Sequence, residues 1–425
     1  MTQPPSLADI AAQLEAYDPQ ALPANEVLNF LDHLVTPVQD SESVDIFAAL
    51  GRVTAQDVIS PINVPPHDNS AMDGFAFDGA QLSDSQALSL KVVGTALAGK
   101  AWEGAVNAGE CVKIMTGAIM PKGLNTVVPQ ELCHITASQT IEIPAGLLKA
   151  GDNRRLCGED ITQGQPALLK GASITPAAAG LLASLGVPNV LVVRRLRVAY
   201  FSTGDEILSL GEAPREGAVY DSNRYTVHGM LQALGCEMID MGVVKDEPDL
   251  LEQAFNKAAE QADAIITSGG VSVGEADFTK AMMKKLGDVV FWKIAMRPGR
   301  PMAVGRIQKG QRSAVLFGLP GNPVAVMVTF LAFVKPALLK MMGSTATPLP
   351  MLRARTQEVL RKKPGRTEYQ RGIVSRNAEG ELQVITTGNQ GSGVLSSMVQ
   401  ANGLIVLSHP QGTAQLGDWV DVLVL

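Results

Sequence analysis

Three acids and a glycine-rich turn are the residues of this 425-residue chain whose types and spacing best suit chemistry. A strand-like run, Ala264 to Thr267, leads straight into Ser268-Gly269-Gly270-Val271-Ser272-Val273-Gly274, and a helix is expected to open near Phe278. A turn of this kind lets backbone N–H groups and the hydroxyls of Ser268 and Ser272 converge on an oxyanion at a helix N-terminus, where the helix dipole favours negative charge. Read alone, a Gly-Gly pair is a tight turn. Placed at the carboxyl end of a strand in an α/β sheet, it reads as a phosphate cradle. Glu206, Asp246 and Asp277 each follow a strand or precede a helix, and each alone reads as a helix cap or a solvated loop acid. All three, however, are expected at one edge of the same sheet. Like charges gathered there repel unless a cation sits among them, and hard oxygen ligands beside a phosphate point to Mg²⁺.

A second edge motif, Lys293-Ile-Ala-Met-Arg297-Pro-Gly-Arg300-Pro, presents three cations in a loop stiffened by proline. The plain reading is a solvated basic turn; the chemical one is capture of a tetrahedral oxyanion by guanidinium forks. Next to it in function, Leu319-Pro320-Gly-Asn-Pro323 is held by two prolines, which suits a preorganised pocket wall. Asp68 to Gly74, Met115 to Ala118 and Gly158-Glu159-Asp160 read from sequence as polar turns.

The elements that must position these residues follow from hydrophobic patterning. Between about 195 and 345, apolar strand candidates (Arg197 to Ser202, Glu237 to Val244, Ala264 to Ser268, Val289 to Ala295, Ala314 to Leu319) alternate with amphipathic helices. The expected fold class is therefore a multidomain α/β protein built around a doubly wound parallel sheet, with ligands at the carboxyl ends of its strands. Residues 1–65, with Val27, Leu28, Leu31 and Leu34 at helical spacing, read as helix-rich, and Thr175 to Leu185 reads as a further helix. Residues 66–154 read as a small β-rich domain, 195–345 as the doubly wound domain, and 346–425 as a small β-barrel or sandwich.

A net charge of −7 argues against a nucleic-acid binder, so an anionic ligand must be met by a local cationic site. The four cysteines form no CxxC pair and read as reduced buried thiols, and the five scattered histidines give no metal or triad pattern. The start of the chain lacks the basic and apolar pattern of a secretory leader. Ala314 to Val334 carries no charge, but Pro320-Gly-Asn-Pro323 breaks it into a strand and a helix, so no membrane span is expected and the location expected is cytoplasmic.

Taken in order, Asp68 to Gly74, Met115 to Ala118, Gly158 to Asp160, Ser202 to Glu206, Asp221-Ser-Asn223, Ser268 to Asp277, Arg297 to Pro301 and Leu319 to Pro323 resemble the molybdopterin molybdenumtransferase family of the bacterial MoeA type, related to the E domain of gephyrin. The resemblance runs from about residue 24 to the C-terminus, and it implies an elongated helical domain made of 1–65 and 155–194, a β-rich domain (66–154) inserted in it, a doubly wound domain (195–345) and a C-terminal β-barrel (346–425). It implies a homodimer and insertion of molybdate into adenylylated molybdopterin, with Mg²⁺ required and AMP released. Partners implied are the molybdopterin adenylyltransferase and downstream cofactor-handling proteins. By position, the family's functional acids and hydroxyl fall on Asp73, Thr116, Asp160, Glu206, Asp246 and Asp277, and its loop prolines on Pro320 and Pro323. Where this chain has Arg297 and Arg300, the family usually has lysines. The resemblance also implies that the barrel roofs a neighbouring subunit's cleft, making Arg366 and Ser392 candidates for touching the substrate in trans. A non-catalytic dimeric scaffold, as in gephyrin relatives, is the alternative.

Overall fold

The computed structural model describes residues 5–136, 139–271, 278–346 and 351–425. Ser272 and Asp277 therefore lie outside the described residues.

Within residues 195–345 the strands are β1 Arg197–Thr203, β2 Glu237–Val244, β3 Ala264–Ser268, β4 Gly287–Lys293, β5 Pro301–Lys309 and β6 Arg312–Leu319, in the spatial order β2-β1-β3-β6-β5-β4. The helices between them are α1 Ser222–Ala233, α2 Pro248–Gln261, α3 Phe278–Leu286 and α4 Pro323–Thr329. Strand β3 is buried along its whole length, as an apolar run must be when helices cover both faces of a parallel sheet. In β1, Val198 and Tyr200 pack into one core while Ala199 and Phe201 pack into another on the opposite face. Helix α2 starts on Pro248, whose missing N–H is no loss in a first turn, and turns Leu251, Ala254, Phe255 and Ala258 inward.

The sheet is not wholly parallel. Strand β5 runs against both neighbours, and sequence patterning assigned no strand there. The stretch after Arg300 reads as a continuation of a proline-stiffened loop, but Gly310, at φ +60°, turns β5 into β6 as a hairpin, and only a strand can occupy that slot. The other three inter-strand pairings fall as the βαβ pattern predicts, with β1, β2, β3 and β6 parallel.

The N-terminal segment is helical only to Leu34, with helices Leu7–Ala11 and Ala24–Leu34. Val27, Leu31 and Leu34 are buried as expected; Phe30 joins them, whereas Leu28 is 39% exposed. Beyond it, short ladders pair Ser41–Asp45 with Asn189–Val193 and Val58–Ile59 with Pro166–Leu168, so the segments either side of the insertion are joined by strands. Residues 74–143 carry a six-stranded sheet. At the C-terminus, Leu352–Thr356, Thr367–Arg376, Leu382–Thr386, Gly403–Leu407 and Trp419–Val424 close into a five-stranded barrel through the pairing of the second with the fourth. Met296–Arg297, from the cationic loop, adds to this barrel in parallel beside Thr367–Glu368.

The helical run Pro323–Met341 is apolar and long enough to cross a membrane by length and composition, yet Phe330, Phe333, Val334 and Leu338 within it are fully packed in the core under the sheet. Cys111 and Cys236 are buried, Cys133 is half-buried and Cys157 is exposed, so the buried-thiol reading holds for two of the four.

Candidate functional site

At the carboxyl ends of β1, β3 and β6 lies a cavity of about 1240 Å³. Its floor is the turn after β3. Gly269 sits at φ +91°, and a Cβ there would stand 2.4 Å from the Thr203 carbonyl oxygen, so only glycine allows β1 and β3 to end this close together. The turn is less free to bind anions than its sequence promised. The Gly269 N–H donates to the Leu319 carbonyl at 3.2 Å, tying it to the end of β6. Ser268 is 3% exposed, and its hydroxyl belongs to a buried triangle with Tyr200 (2.7 Å) and Ser202 (3.1 Å). Burial, and then the charge of Asp221, pushes the Tyr200 phenol well above its ordinary range, so this triangle stays neutral. Ser268 thus braces the strand ends, and with Gly269 and Gly270 it lines the cavity.

Two of the three predicted metal-site acids border this space. Asp246, just past β2, accepts a hydrogen bond through Oδ1 from the Thr279 hydroxyl at 3.0 Å, and Thr279 is fully buried in the first turn of α3. That bond fixes the carboxylate and joins the end of β2 to the helix that follows β3. Glu206 folds back on the β1 turn, where a Cβ on Gly204 would stand 2.5 Å from its Oε2. Both acids line the cavity. Among the described residues no cluster of three His, Cys, Asp or Glu side chains assembles, and the third acid, Asp277, lies outside them.

The opposite wall is cationic. Arg297 and Arg300 are exposed to the cavity from the loop that joins β4 to β5. The loop is braced twice: the Ile294 N–H donates to the Arg300 carbonyl at 2.7 Å, and the Thr367 N–H donates to the Ala295 carbonyl at 2.8 Å. Lys293 does not join them. It ends β4 outside the cavity lining, where its backbone is tied to the helical arm, its N–H donating to the Pro19 carbonyl (2.8 Å) and its own carbonyl accepting from Leu22 (3.2 Å). The three-cation reading fails because Ile294 to Met296 turn the chain between Lys293 and Arg297.

Pro320 and Pro323 line the cavity as expected, on the rigid turn between β6 and α4. Arg366 and Ser392 also line it, but from the barrel of the same chain rather than a neighbour's. The Asn322 amide donates to the Ser392 hydroxyl at 3.0 Å, and the Val324 N–H donates to the Ser392 carbonyl at 3.1 Å. With Met296–Arg297 paired onto the barrel, these bonds hold doubly wound domain and barrel together around one cavity, which reverses the expected trans arrangement. Arg366 is charge-paired: its Nε and Nη2 both reach Glu368 Oε1, at 2.8 and 2.7 Å, and the Glu368 side chain is 4% exposed.

Asp73, Thr116 and Asp160 stand apart from this cavity. Asp73 and Thr116 do meet: the Thr116 N–H and hydroxyl each donate to Asp73 Oδ1 at 2.7 Å. These two bonds, the backbone one first, hold the exposed Asp73 carboxyl below its ordinary range. Asp160 is exposed on a separate turn, its N–H donating to the Val64 carbonyl.

Sequence reasoning gave no role to Thr203, Asp221 or Asn223, all of which line the cavity. Asp221 caps α1, its Oδ1 accepting from the Arg224 N–H at 3.1 Å, and the Asn223 amide donates to the Gly321 carbonyl at 2.8 Å. The available signal was an Asp-Ser-Asn at a helix start, which reads as a cap and hides a second use. In the barrel loop Gln390-Gly-Ser-Gly393 the sequence pointed to Ser392 alone, and Gln390, Gly391 and Gly393 line the cavity beside it.

Comparison with known proteins covers nearly the whole chain. Residues 22–186 match the family model of the MoeA N-terminal region (domain I and II), 199–340 that of a probable molybdopterin binding domain, and 353–425 that of the MoeA C-terminal region (domain IV). A molybdopterin molybdenumtransferase of Haemophilus influenzae is 42% identical over 394 residues, covering 92% of this chain and 95% of that one. One from Bacillus subtilis is 33% identical, covering 91% and 90%. The crystal structure of a molybdopterin biosynthesis moeA protein from Pyrococcus horikoshii superposes with a TM-score of 0.79 at 27% identity, covering 96% of this chain and all of that one.

Proposed function

Because this chain belongs to the molybdopterin molybdenumtransferase family, a family of transferases in molybdenum cofactor biosynthesis, we propose that it inserts molybdate into adenylylated molybdopterin, using Mg²⁺ and releasing AMP. The observation that carries this reading is one cavity with carboxylates, Glu206 and Asp246, on one wall and guanidinium groups, Arg297 and Arg300, on the other. A diphosphate and a tetrahedral oxyanion need those two kinds of wall.

The acid wall fits Mg²⁺ by its chemistry. Mg²⁺ is commonly held by one or two carboxylates together with substrate phosphates, and Glu206 and Asp246 are hard oxygen donors of that number. Asp277 would add a third. When bound, the ion would neutralise charge on the diphosphate of the adenylylated substrate. Thr279 keeps the Asp246 carboxylate in one orientation by taking up one of its oxygens. Arg297 and Arg300 hold molybdate electrostatically, and their loop is anchored at both ends so that little ordering is left to occur on binding. Pro320 and Pro323 keep the adjoining wall rigid. Ser392 is placed by Asn322 at the barrel side, and Arg366, already paired, contributes shape more than net charge.

The test is AMP release from adenylylated molybdopterin by the purified protein with Mg²⁺ and graded molybdate. Release should depend on both, and Asp246→Asn or Asp277→Ala should remove most of it without unfolding the protein. AMP release unchanged in both variants ends the proposal.

We further infer a homodimer. The resemblance assigns function to Asp73, Thr116 and Asp160, and within one chain they stand away from the cavity; in a symmetric pair they can serve the partner's. Mixing Asp73→Ala with Asp246→Ala protein should then restore about a quarter of wild-type activity, since half the random pairs are mixed and each holds one intact site. Absence of complementation in verified mixed dimers removes the trans assignment. Supply by a molybdopterin adenylyltransferase, hand-over to downstream cofactor-handling proteins and a cytoplasmic location complete this reading.

A further inference from the structure

Three buried polar atoms in the cavity wall have no hydrogen-bond partner among the described residues: Asp221 Oδ2, Asn223 Oδ1 and Thr203 Oγ1. Their residues are 4%, 7% and 4% exposed, and all three line the cavity. Buried polar atoms are normally satisfied, so three orphans on one wall call for a reason.

None of these side chains is adrift. Asp221 holds the first turn of α1 with Oδ1, which points its other oxygen elsewhere. Asn223 donates its amide N–H to the Gly321 carbonyl, and that bond fixes its amide so that the remaining atom is an acceptor. The nearby Tyr200 feels the charge of Asp221, yet its hydroxyl is engaged with Ser202 and Ser268. Thr203 is the last residue of β1, a hydroxyl able to donate.

Two acceptors and a hydroxyl donor suit one class of ligand edge. A phosphate is excluded, because a carboxylate and an amide carbonyl repel an oxyanion. An adenine edge sets a donor beside an acceptor and leaves one of the two acceptors facing a lone pair. A 2-amino-4-oxo-pyrimidine, the terminal ring of a pterin, presents an amino N–H, a ring N–H and a carbonyl oxygen, which is donor, donor, acceptor. Resting on the reading given above, we propose that Asp221, Asn223 and Thr203 form the subsite that recognises the amino-lactam edge of the pterin, leaving the diphosphate to the acid and arginine walls.

Calorimetric titration of the full-length protein with 6-hydroxymethylpterin phosphate, its lumazine counterpart (amino group replaced by oxygen) and AMP tests this. Wild type should prefer the pterin to the lumazine by about tenfold or more, since a site built around N–H donors rejects an analogue lacking one. Asp221→Asn keeps a helix cap, because Asn caps as well as Asp, but turns an acceptor into a donor. It should lower pterin affinity by about tenfold and erase the preference. Thr203→Val breaks no hydrogen bond of that hydroxyl among the described residues, so its melting temperature should not fall, yet both bicyclic ligands, which share the carbonyl, should bind about threefold to tenfold more weakly. AMP affinity should stay within about twofold in every variant. A pterin preference that survives Asp221→Asn, or an equal loss of AMP affinity, overturns the subsite while leaving the proposed function standing. A wild-type protein that binds AMP and no pterin phosphate overturns both.

Discussion

Strand β3 is five residues long, and its two ends treat charge in opposite ways. At the amino end, Asp263 accepts two bonds from the Arg194 guanidinium, each 2.7 Å, and a third from the Arg197 N–H at 2.8 Å. Arg194 also reaches Asp40 at 3.0 Å, and these partners raise its already high pKa. Every strong group there has its complement inside the fold. At the carboxyl end, the arginines of the cavity face acids across open space, and Asp221, Asn223 and Thr203 leave polar atoms unmatched among the described residues. One edge is finished by folding and the other is left for a ligand to finish. Stability should therefore reside at the first and activity at the second.

The largest expected effect comes from the unfinished edge. Arg297→Ala should reduce molybdate-dependent turnover by about 10²- to 10³-fold, the usual range for one preorganised charged contact, with the thermal transition unmoved. A drop in melting temperature in step with turnover would break the contrast. At the finished edge, Asp263→Ala leaves Arg194, one-fifth exposed, without its bidentate partner. The expected loss is about 2 kcal/mol of stability in denaturant unfolding, with kcat/KM at 25 °C unchanged to within about twofold.

The smallest effect sharpens what separates the two edges. Asp73 is exposed yet satisfied by Thr116, and its carboxyl titrates below the ordinary value of 3.8. A carboxyl whose folded pKa is depressed contributes stability above its unfolded pKa and loses it as pH falls through the folded one. Thr116→Val removes the side-chain bond and retains the backbone one, so the Asp73 midpoint, followed by carboxyl NMR, should move partway up toward 3.8. The wild-type advantage in acid should then fade over the same pH window. An Asp73 midpoint that does not move would show that the Thr116 hydroxyl adds nothing to the backbone bond.

Much of this was readable before any coordinates. The alternation of apolar strands and amphipathic helices from 195 to 345 follows from local periodicity, and the structure has β1, β2, β3 and β6 parallel with α1 and α2 between them. The carboxyl-edge rule then put Glu206, Asp246, Arg297, Arg300, Pro320 and Pro323 in one cavity. The rule says which end of a strand a residue occupies and nothing about where its side chain turns. Ser268 reads as a ligand-facing hydroxyl and is a buried brace, and Lys293 reads with Arg297 and Arg300 yet lies outside the cavity lining, its backbone bonded to the helical arm. Strand β5 escaped because its proline start and internal glycine mask a strand that only its hairpin with β6 creates.

By itself the sequence determined the residue types at the strand ends, the glycine that lets β1 and β3 approach, and the motif order by which the chain's family was recognised. These are local properties, fixed by side-chain chemistry and backbone freedom at single positions. The tertiary structure alone decided that the barrel closes over the cavity of its own chain, that Asp73 and Thr116 pair outside it, and that Asp221 keeps one oxygen for its helix and one unmatched. Those outcomes depend on hydrogen bonds between segments tens to hundreds of residues apart, and no local pattern records which distant partner a polar group will find.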